Sequence, residues 1–219
     1  PNMATMLAFV FSDIRVEVTT RERQLEDVVS QSFNRITVDG DTSTNDACML
    51  VASGKGIVFE ELQPADQESY LAAVRGVFQE LAMDLIRDAE GGTKFITVNV
   101  TGGRDGQECL AVAYALAESP LVKTALFASD PNWGRIMAAV GRAEVENLDV
   151  SGVSIRLGKL SLIENGELSA SYSERQGKQQ VDKTDIEISV ELGRGSHAET
   201  VWTSDLSHDY VRINAEYRS

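Results

Sequence analysis

KFITVNVT, the stretch at residues 94–101, alternates apolar and polar side chains and therefore predicts a β-strand. Helical patterns lie on both sides of it. Before it, apolar residues recur at helical spacing from about Ala65 to Arg87, following Pro64. After it, the run of small residues from Gly106 to Glu118 predicts a second helix, which stops at Pro120. This succession of helix, strand and helix predicts a mixed α and β fold.

The N-terminal part of the chain carries two apolar runs that predict buried strands. They span Thr5 to Phe11 and Cys48 to Ala52, and both are rich in apolar and β-forming residues. Between them, apolar residues on one face predict a helix from Thr20 to Asn34, with Thr20 as its N-cap. A short strand is predicted from Ile36 to Val38.

In the C-terminal part of the chain, the predicted secondary structure changes near residue 150, and short strand patterns dominate beyond that point. Before that point, a strand is predicted from Val122 to Ala128 and a helix from Gly134 to Ala143. Asn165-Gly166 is a strong two-residue hairpin signal, and the polar stretch 173–185 predicts a loop. The later strands are predicted at Val153–Leu157, Leu160–Glu164, Leu168–Tyr172, Ile186–Leu192, Glu199–Thr203 and Tyr210–Tyr217.

Composition and charge exclude several classes of protein. Hydrophobic residues make up 42% of the 219 and charged residues 25%, so the chain can bury a substantial core. The net charge of −14 makes phosphate backbones and anionic lipids poor partners, so neither nucleic acid nor a membrane is expected. Cys48 and Cys109 have no partners at ligand spacing, which argues against a disulfide framework or a cysteine zinc site. No signal peptide or membrane span is predicted, and we expect a cytoplasmic protein.

One acidic motif suggests phosphoryl chemistry. Asp39 and Asp41 follow a short strand in the sequence DGDTS, which nearly matches the loop of the aspartate-nucleophile phosphatases. Two carboxylates at a strand end could hold Mg²⁺ while Asp39 attacks phosphorus. However, Ser43 stands where that family has Thr or Val, and no downstream acidic pair with a phosphate-binding lysine is evident. A hydrogen-bonded polar turn is the simpler interpretation of this motif.

The remaining candidate groups are weaker. The glycine clusters fit neither a dinucleotide-binding nor a P-loop spacing, and His197 and His208 lack a third ligand, so no metal site is predicted. In the segment 130–135, Asn132 is suited to cap a helix while Trp133 packs against the core. By its residue type alone, Thr5 is simply a β-former at the start of a strand.

Five segments taken together identify a family resemblance. They are residues 1–9 (PNMATMLAF), 38–46 (VDGDTSTND), 90–94 (EGGTK), 130–135 (DPNWGR) and 214–219 (NAEYRS). In this order they resemble the motifs of the ornithine acetyltransferase family, ArgJ, of arginine biosynthesis. The resemblance extends over essentially the whole chain, and five blocks in sequence are far more specific than any one of them.

The resemblance implies a self-cleaving precursor and a threonine nucleophile. In the family, an α chain and a β chain arise by cleavage between Ala and Thr of the first motif, which correspond to Ala4 and Thr5. Residues 1–4 would then end the α segment and residues 5–219 would form the β chain. Thr5 would act with its freed α-amine, and such an amine can accept the hydroxyl proton. The unperturbed pKa of such an amine is about 8, so a modest shift caused by its environment would suit it to act as a general base.

The family reaction is a ping-pong acetyl transfer from N-acetylornithine to glutamate, by way of an acetyl group on Thr5. Some members also use acetyl-CoA as donor; no other cofactor and no metal is implied. Matched to the family motifs, Glu90, Asn214 and Ser219 would bind substrate together with Thr5. A carboxylate such as that of Glu90 suits the ornithine ammonium. The resemblance places Asn214 and Ser219 on a last strand near the pocket.

The fold implied by the resemblance is a layered αββα-type sandwich of the self-cleaving ArgJ/DmpA-like kind, an α/β (α+β mixed) fold. Its helix-and-sheet catalytic part would cover about residues 5–148, and a strand-rich C-terminal third about residues 149–219, within one functional unit. The family assembles as an α2β2 heterotetramer, with the oxyanion-hole residues and a substrate lysine in the α chain. The β chain is therefore expected to need that partner for activity.

Departures from the family pattern are few, and alternative functions are less well supported. Ser12-Asp13-Ile14 replaces a common Thr-Asp-Ala, Gly92 replaces a common Ala, and Ser219 replaces a frequent Thr but keeps the hydroxyl. None of these changes removes a chemical group that the family uses. The alternatives are the Mg²⁺-dependent phosphatase with Asp39 as nucleophile and a non-catalytic partner subunit.

Overall fold

The computed structural model describes residues 6–43 and 45–216. The chain forms two compact units. Among the described residues, the first unit holds those up to 36 and from 41 to 85, and the second holds 37–40 and those from 86 onward. The predicted boundary near residue 149, between the helix-and-sheet part and the strand-rich part, lies inside the second unit. Helices and strands on both sides of this boundary share one core.

The first unit combines a small sheet with two helices. Strand β1 (Leu7–Ser12) pairs in parallel with β3 (Ala47–Ala52). Helix α1 (Val18–Ser30) and the long helix α2 (Pro64–Arg87) supply most of the remaining residues, and the end of α2 passes into the second unit. Phe33 and Phe78 pack edge to face in the core, with ring centroids 5.8 Å apart.

The prediction that the first strand is buried is only half right. In β1, Ala8 is buried, but Leu7, Phe9 and Phe11 are 67%, 51% and 72% exposed. In the paired strand β3, Met49 and Val51 are exposed next to Phe9 and Phe11. The sheet therefore has one covered face and one apolar face open to solvent. A continuous apolar run does not reveal this difference, because it predicts burial on both faces.

The first helix begins earlier than predicted. Its N-cap is Glu17 rather than Thr20, and no side chain caps its first turn. The predicted helix from about Ala65 to Arg87 is confirmed with a start at Pro64. Proline is favoured in the first turn because its nitrogen needs no hydrogen-bond acceptor there.

The second unit contains the main sheet, with KFITVNVT near its centre. Strand β4 (Phe95–Gly103) lies between β8 (Asp185–Glu191), which is parallel to it, and β9 (His197–Ser204), which is antiparallel. The sheet order is β2-β9-β4-β8-β5-β6-β7. The other strands are β2 (Ile36–Thr37), β5 (Ser154–Leu157), β6 (Leu160–Glu164) and β7 (Glu167–Leu168).

Alternation along β4 separates a core face from a polar face. Ile96, Val98 and Val100 are buried in the core, together with residues of α3 (Gly106–Ala117) and α5 (Trp133–Gly141). On the other face, Asn99 accepts a hydrogen bond from Thr200 and donates one to Glu187. This pattern confirms the strand and explains why its polar positions are tolerated.

The segment predicted as a strand from Val122 to Ala128 is instead helix α4 (Pro120–Phe127). The Ser119 hydroxyl accepts a hydrogen bond from the Val122 N–H at 3.4 Å, and Pro120 occupies the first turn. Short apolar runs do not distinguish a strand from a buried helix. Here the cap and the proline decide in favour of the helix.

Two further segments near the C-terminus also form helices. The predicted loop at 173–185 contains α6 (Glu174–Val181), which is capped by Ser173. The predicted strand from Tyr210 to Tyr217 is helix α7 (His208–Glu216), with Tyr217 outside the described residues. Of the predicted strand Leu168–Tyr172, only Leu168 lies in a strand, as the second residue of β7. Both helices begin after a serine, Ser173 or Ser207, which is a favoured N-cap residue.

The hairpin signal is confirmed between β6 and β7. Asn165 and Gly166 have φ values of 49° and 78°, as a two-residue hairpin turn with left-handed central residues requires. Among the described residues, no single helix is long and apolar enough to cross a membrane, although α3 and α4, bent by 55° at their junction, have that composition together.

We expect Ser119→Ala to destabilise the protein by about 1 kcal/mol, because it removes the side-chain cap of α4. The measurement is the free energy of unfolding in urea. Ser30→Ala, at the exposed end of α1, is the matched control and is expected to change this value by less than about 0.5 kcal/mol. Equal effects of the two substitutions would contradict the capping role of Ser119.

Candidate substrate-binding site

Two of the predicted site residues meet in the second unit. The Asn214 side-chain amide donates a hydrogen bond to Glu90 Oε2 at 3.0 Å, although the two residues lie 124 positions apart in the sequence. Both side chains are exposed. Ala4, Thr5 and Ser219 lie outside the described residues. Asn214 lies on α7 rather than on the predicted last strand.

A glycine turn brings Glu90 close to the start of α7. Gly91 has a φ of +68°, and a Cβ atom at this position would come within 2.5 Å of the Tyr210 nitrogen. Only glycine combines this backbone conformation with so close an approach. Ser207 fastens the contact, because its hydroxyl donates to the Gly91 carbonyl at 2.6 Å and accepts from the Asp209 and Tyr210 N–H groups. Ser207 therefore both caps the start of α7 and holds the glycine turn at Gly91 next to it.

Asp205 also holds the turn at 91–94 against the segment before α7. Its carboxylate is buried and accepts three hydrogen bonds. Oδ1 accepts from the backbone N–H of Thr93 at 2.7 Å and of Lys94 at 2.9 Å, and Oδ2 accepts from the Thr93 hydroxyl at 2.6 Å. This set of bonds offsets the cost of burying the charge and joins the turn at 91–94 to the segment that leads into α7.

Lys123 is a buried cation on α4, next to the same segment. Its Nζ donates to Thr203 Oγ1 at 2.6 Å and to the Ser204 carbonyl. Burial lowers the pKa of Lys123 to about 8, while the carboxylates of Asp205, Asp39 and Glu118 act in the opposite direction. The lysine thus compensates several carboxylates within a protein of strongly negative net charge.

Asp39, the nucleophile of the phosphatase hypothesis, takes part in this polar cluster. The Tyr210 hydroxyl donates to Asp39 Oδ2 at 2.8 Å. Tyr210 and Asn214 are one turn apart on α7, so this face of the helix presents donors to two carboxylates, those of Asp39 and Glu90. Glu118 accepts a hydrogen bond from Thr37, and burial raises the pKa of its carboxyl. The arrangement suits a cationic, hydrogen-bonding ligand.

No metal site appears in the part of the chain that the structure describes. It contains no group of three or more His, Cys, Asp or Glu side chains that could hold a metal ion. His208 packs edge to face on Phe127, with ring centroids 5.5 Å apart, and His197 begins β9.

The segments 90–94 and 130–135 have mainly structural contacts. Lys94 donates from Nζ to the Ser129 hydroxyl at 2.7 Å and to the Val181 carbonyl, so it joins the C-terminal ends of α4 and α6. Asn132 caps α5 as predicted, because its Oδ1 accepts from the Arg135 N–H at 3.1 Å. Trp133 is 43% exposed, so the prediction that it packs against the core is wrong in part.

In the first unit, the first two family-like segments meet. The Met6 N–H donates to Asp46 Oδ1 at 2.9 Å, and the Ala47 N–H donates to the Met6 carbonyl at 3.2 Å. Met6 is buried, so the residue that follows Thr5 is held firmly at the start of β1.

Sequence reasoning did not single out four residues that make the polar contacts described above: Asp205, Lys123, Tyr210 and Asp46. The Ser-Asp-Leu-Ser sequence at 204–207 carries a recognisable capping signal for α7. Nothing in the sequence marks Lys123 as buried, since a lysine within a short apolar run is ordinarily solvated.

Comparison with known proteins assigns the chain to a family. It matches the model of the ArgJ family over residues 1–219. Proteins named "Arginine biosynthesis bifunctional protein ArgJ" are similar to it over its whole length: those of Pseudomonas fluorescens and Pseudomonas syringae pv. tomato are 51% identical, and that of Psychrobacter arcticus is 49% identical. The chain covers 54–55% of these relatives, so it spans about half of their length.

A solved structure has the same fold. The crystal structure of the arginine biosynthesis bifunctional protein ArgJ from Bacillus halodurans aligns with a TM-score of 0.90 and 38% sequence identity. The alignment covers 97% of this chain and 100% of the solved chain. The predicted mixed α/β fold of the ArgJ kind is thereby confirmed.

The buried charge of Lys123 predicts a pH dependence of stability. Between pH 8 and 10.5 the unfolded chain binds more protons at this lysine than the folded protein, so the contribution of Lys123 to the free energy of unfolding should rise with pH. A pKa lowered from 10.5 to about 8 corresponds to a rise on the order of 3 kcal/mol.

The measurement is urea unfolding of the unsubstituted protein and of Lys123→Met from pH 7 to 10.5. The difference between their free energies of unfolding should grow in favour of the unsubstituted protein above pH 8. Lys159→Met removes an exposed lysine and serves as the control for the loss of one positive charge. A difference for Lys123→Met that stays constant across this range would contradict the prediction.

Proposed function

The chain belongs to the ArgJ family, and on that premise we propose that it is the nucleophile-bearing part of an acetyltransferase of arginine biosynthesis. Thr5 carries the acetyl group from N-acetylornithine to glutamate, giving ornithine and N-acetylglutamate. The observation that carries the proposal is the contact between Asn214 and Glu90 at 3.0 Å, because it joins two family-like segments from distant parts of the chain.

Thr5 becomes the nucleophile when the precursor cleaves itself. The Thr5 hydroxyl attacks the Ala4 carbonyl carbon, the peptide C–N bond breaks, and the nitrogen takes the proton. Water then hydrolyses the resulting ester, which frees the Ala4 carboxylate and restores the hydroxyl beside a free α-amine. Chain lengths support this step. The relatives are nearly twice as long as this chain. The solved Bacillus halodurans chain, by contrast, aligns over its whole length with 97% of this chain.

Acetyl transfer uses the same hydroxyl. The α-amine of Thr5 takes the hydroxyl proton while Oγ attacks the acetyl carbonyl carbon, and the proton then passes to the departing ornithine nitrogen. Glutamate attacks the acetyl ester through its amino group and regenerates the hydroxyl. Donors that stabilise the tetrahedral oxygen would come from the α chain, as the family resemblance implies.

Glu90 and Asn214 bind substrate in this proposal. The Glu90 carboxylate accepts hydrogen bonds from the ornithine ammonium, and the Asn214 amide, which donates to Glu90, orients that carboxylate. The carboxylates of Asp39 and Glu118 around Lys123 add to the negative potential of the second unit. Ser219 would supply a further polar contact, and no metal is required.

The open face of the first unit supports the presence of an α chain. Leu7, Phe9 and Phe11 on β1, with Met49 and Val51 on β3, form a contiguous apolar face that is 38–72% exposed. Apolar faces of this kind mark protein interfaces. We infer that the preceding segment of the precursor covers it, in an α2β2 assembly located in the cytoplasm. Acetyl-CoA is a candidate second donor, since the relatives are named bifunctional.

Thr5→Ala in the full-length precursor is expected to abolish both cleavage and acetyl transfer. Mass spectrometry should find two chains for the unsubstituted protein and one for the variant. With N-acetylornithine or acetyl-CoA alone, the unsubstituted β chain should gain about 42 Da on Thr5. Thr20→Ala, on α1, is the control and should cleave normally. Complete cleavage of the Thr5→Ala precursor would exclude the proposed mechanism.

Glu90→Gln is expected to raise the KM for N-acetylornithine roughly 10- to 100-fold, because it removes a charge-assisted hydrogen bond to the substrate ammonium. Self-cleavage should proceed normally, since the carboxylate faces substrate rather than the scissile bond. Glu80→Gln, on an exposed position of α2, is the matched control. Equal losses of cleavage and of transfer would argue against substrate binding by Glu90.

A further inference from the structure

One carboxylate oxygen of Asp46 accepts a hydrogen bond, and the other has no hydrogen-bond donor among the described residues. Oδ1 accepts the Met6 N–H at 2.9 Å. Oδ2 is shielded from solvent and has no hydrogen-bond partner in the structure of residues 6–43 and 45–216. A buried carboxylate oxygen without a donor costs free energy, and such atoms are rare in folded proteins. Oδ2 therefore indicates a donor that completes the site in the active protein.

The covalent structure of the chain identifies that donor. Met6 N is bonded to the carbonyl carbon of Thr5, so only that carbon and Cα separate it from the Thr5 nitrogen. A carboxylate that holds Met6 N with one oxygen therefore has its other oxygen within reach of the preceding nitrogen. Once the precursor is cut, this nitrogen is an α-amine, which carries several N–H donors and is positively charged after it takes up a proton.

Other buried polar atoms do not have such a neighbour. In the described part of the chain, the Gln24 amide and Arg75 Nε are buried without a hydrogen bond, and both lie far along the sequence from the proposed cleavage site. Glu108 Oε1 and Arg194 Nε form an ion pair with each other. Asp46 alone among these residues is bonded to the residue next to the proposed nucleophile.

We propose that Asp46 is a positioning residue for catalysis, with Oδ2 accepting a hydrogen bond from the α-amine of Thr5. This inference rests on the proposed function. During acylation, the amine takes the proton of the Thr5 hydroxyl as the bond from Oγ to the acetyl carbon forms. Asp46 stabilises the ammonium produced at this point and keeps another of its N–H groups directed at the leaving nitrogen. That nitrogen receives the proton as its bond to the acetyl carbon breaks.

The role predicts an effect on turnover rather than on substrate binding. The amine becomes an ammonium as it takes the hydroxyl proton, and the Asp46 carboxylate binds this charged form more strongly than the neutral amine, so the interaction is stronger in the transition state than in the ground-state complex. Loss of Oδ2 as an acceptor should therefore lower kcat by at least about tenfold and change the KM for N-acetylornithine by less than about threefold.

The experiment compares Asp46→Asn with Asp46→Ala in the full-length, self-cleaving protein. Asparagine keeps Oδ1 as an acceptor for the Met6 N–H but places an NH₂ donor where Oδ2 was, whereas alanine removes both. The readouts are the extent of cleavage by mass spectrometry, kcat and KM for acetyl transfer, and the free energy of unfolding. Asp84→Asn, on an exposed position of α2 in the same unit, is the matched control.

We expect Asp46→Asn to cleave, to keep its stability and to lose kcat as severely as Asp46→Ala. A kcat for Asp46→Asn close to that of the unsubstituted protein would overturn the proposal, because the residue would then only anchor Met6. Failure of Asp46→Asn to cleave or to fold would also overturn it, since the proposed role concerns the free α-amine, which exists only after cleavage. An unsubstituted protein that transfers no acetyl group would instead refute the proposed function.

Discussion

The second unit depends on a buried carboxylate near the start of α7, that of Asp205, with the buried lysine Lys123 close by on α4. Asp205 would be costly to bury alone, yet three hydrogen bonds from Thr93 and Lys94 and the nearby cation of Lys123 stabilise it. The hydrogen bonds to Asp205 come from the turn at 91–94, and Lys123 on α4 binds the neighbouring residues Thr203 and Ser204, so together these contacts hold elements that are far apart in the sequence. These contacts also determine where Glu90, which precedes the turn, and Asn214, which lies on α7, are placed.

Helix α7 illustrates why polar contacts matter more than burial in this region. Its described residues include no fully buried side chain, so apolar packing contributes little to its position. The helix is held by Ser207, by the hydrogen bond from Tyr210 to Asp39 and by the contact of His208 with Phe127. An element held in this way can present polar side chains such as that of Asn214 to solvent, which a core helix cannot do.

The sequence predicted the parts of the fold that have long, regular patterns. Strand β4 and helix α2 are predictable because alternation or helical spacing persists over many residues. The apolar runs of α4 and α7 predict strands instead, since they are short and a single serine, Ser119 or Ser207, decides where each helix starts. The contact of Asp205 with Thr93 spans 112 positions, and no local pattern encodes it. Glu90 and Asn214 could be singled out only through family resemblance.

Two acidic residues show how one type of side chain is used differently in the two units. Every oxygen of Asp205 accepts a hydrogen bond, and the carboxylate is complete as part of the fold. Asp46 uses one oxygen to hold Met6 and leaves the other buried without a donor among the described residues. Folding alone does not favour a buried oxygen without a donor, because an apolar side chain or a second donor would remove its cost. The unpartnered oxygen is explained if its partner is the free α-amine that cleavage creates, which ties the local energetics of the first unit to the chemistry of Thr5.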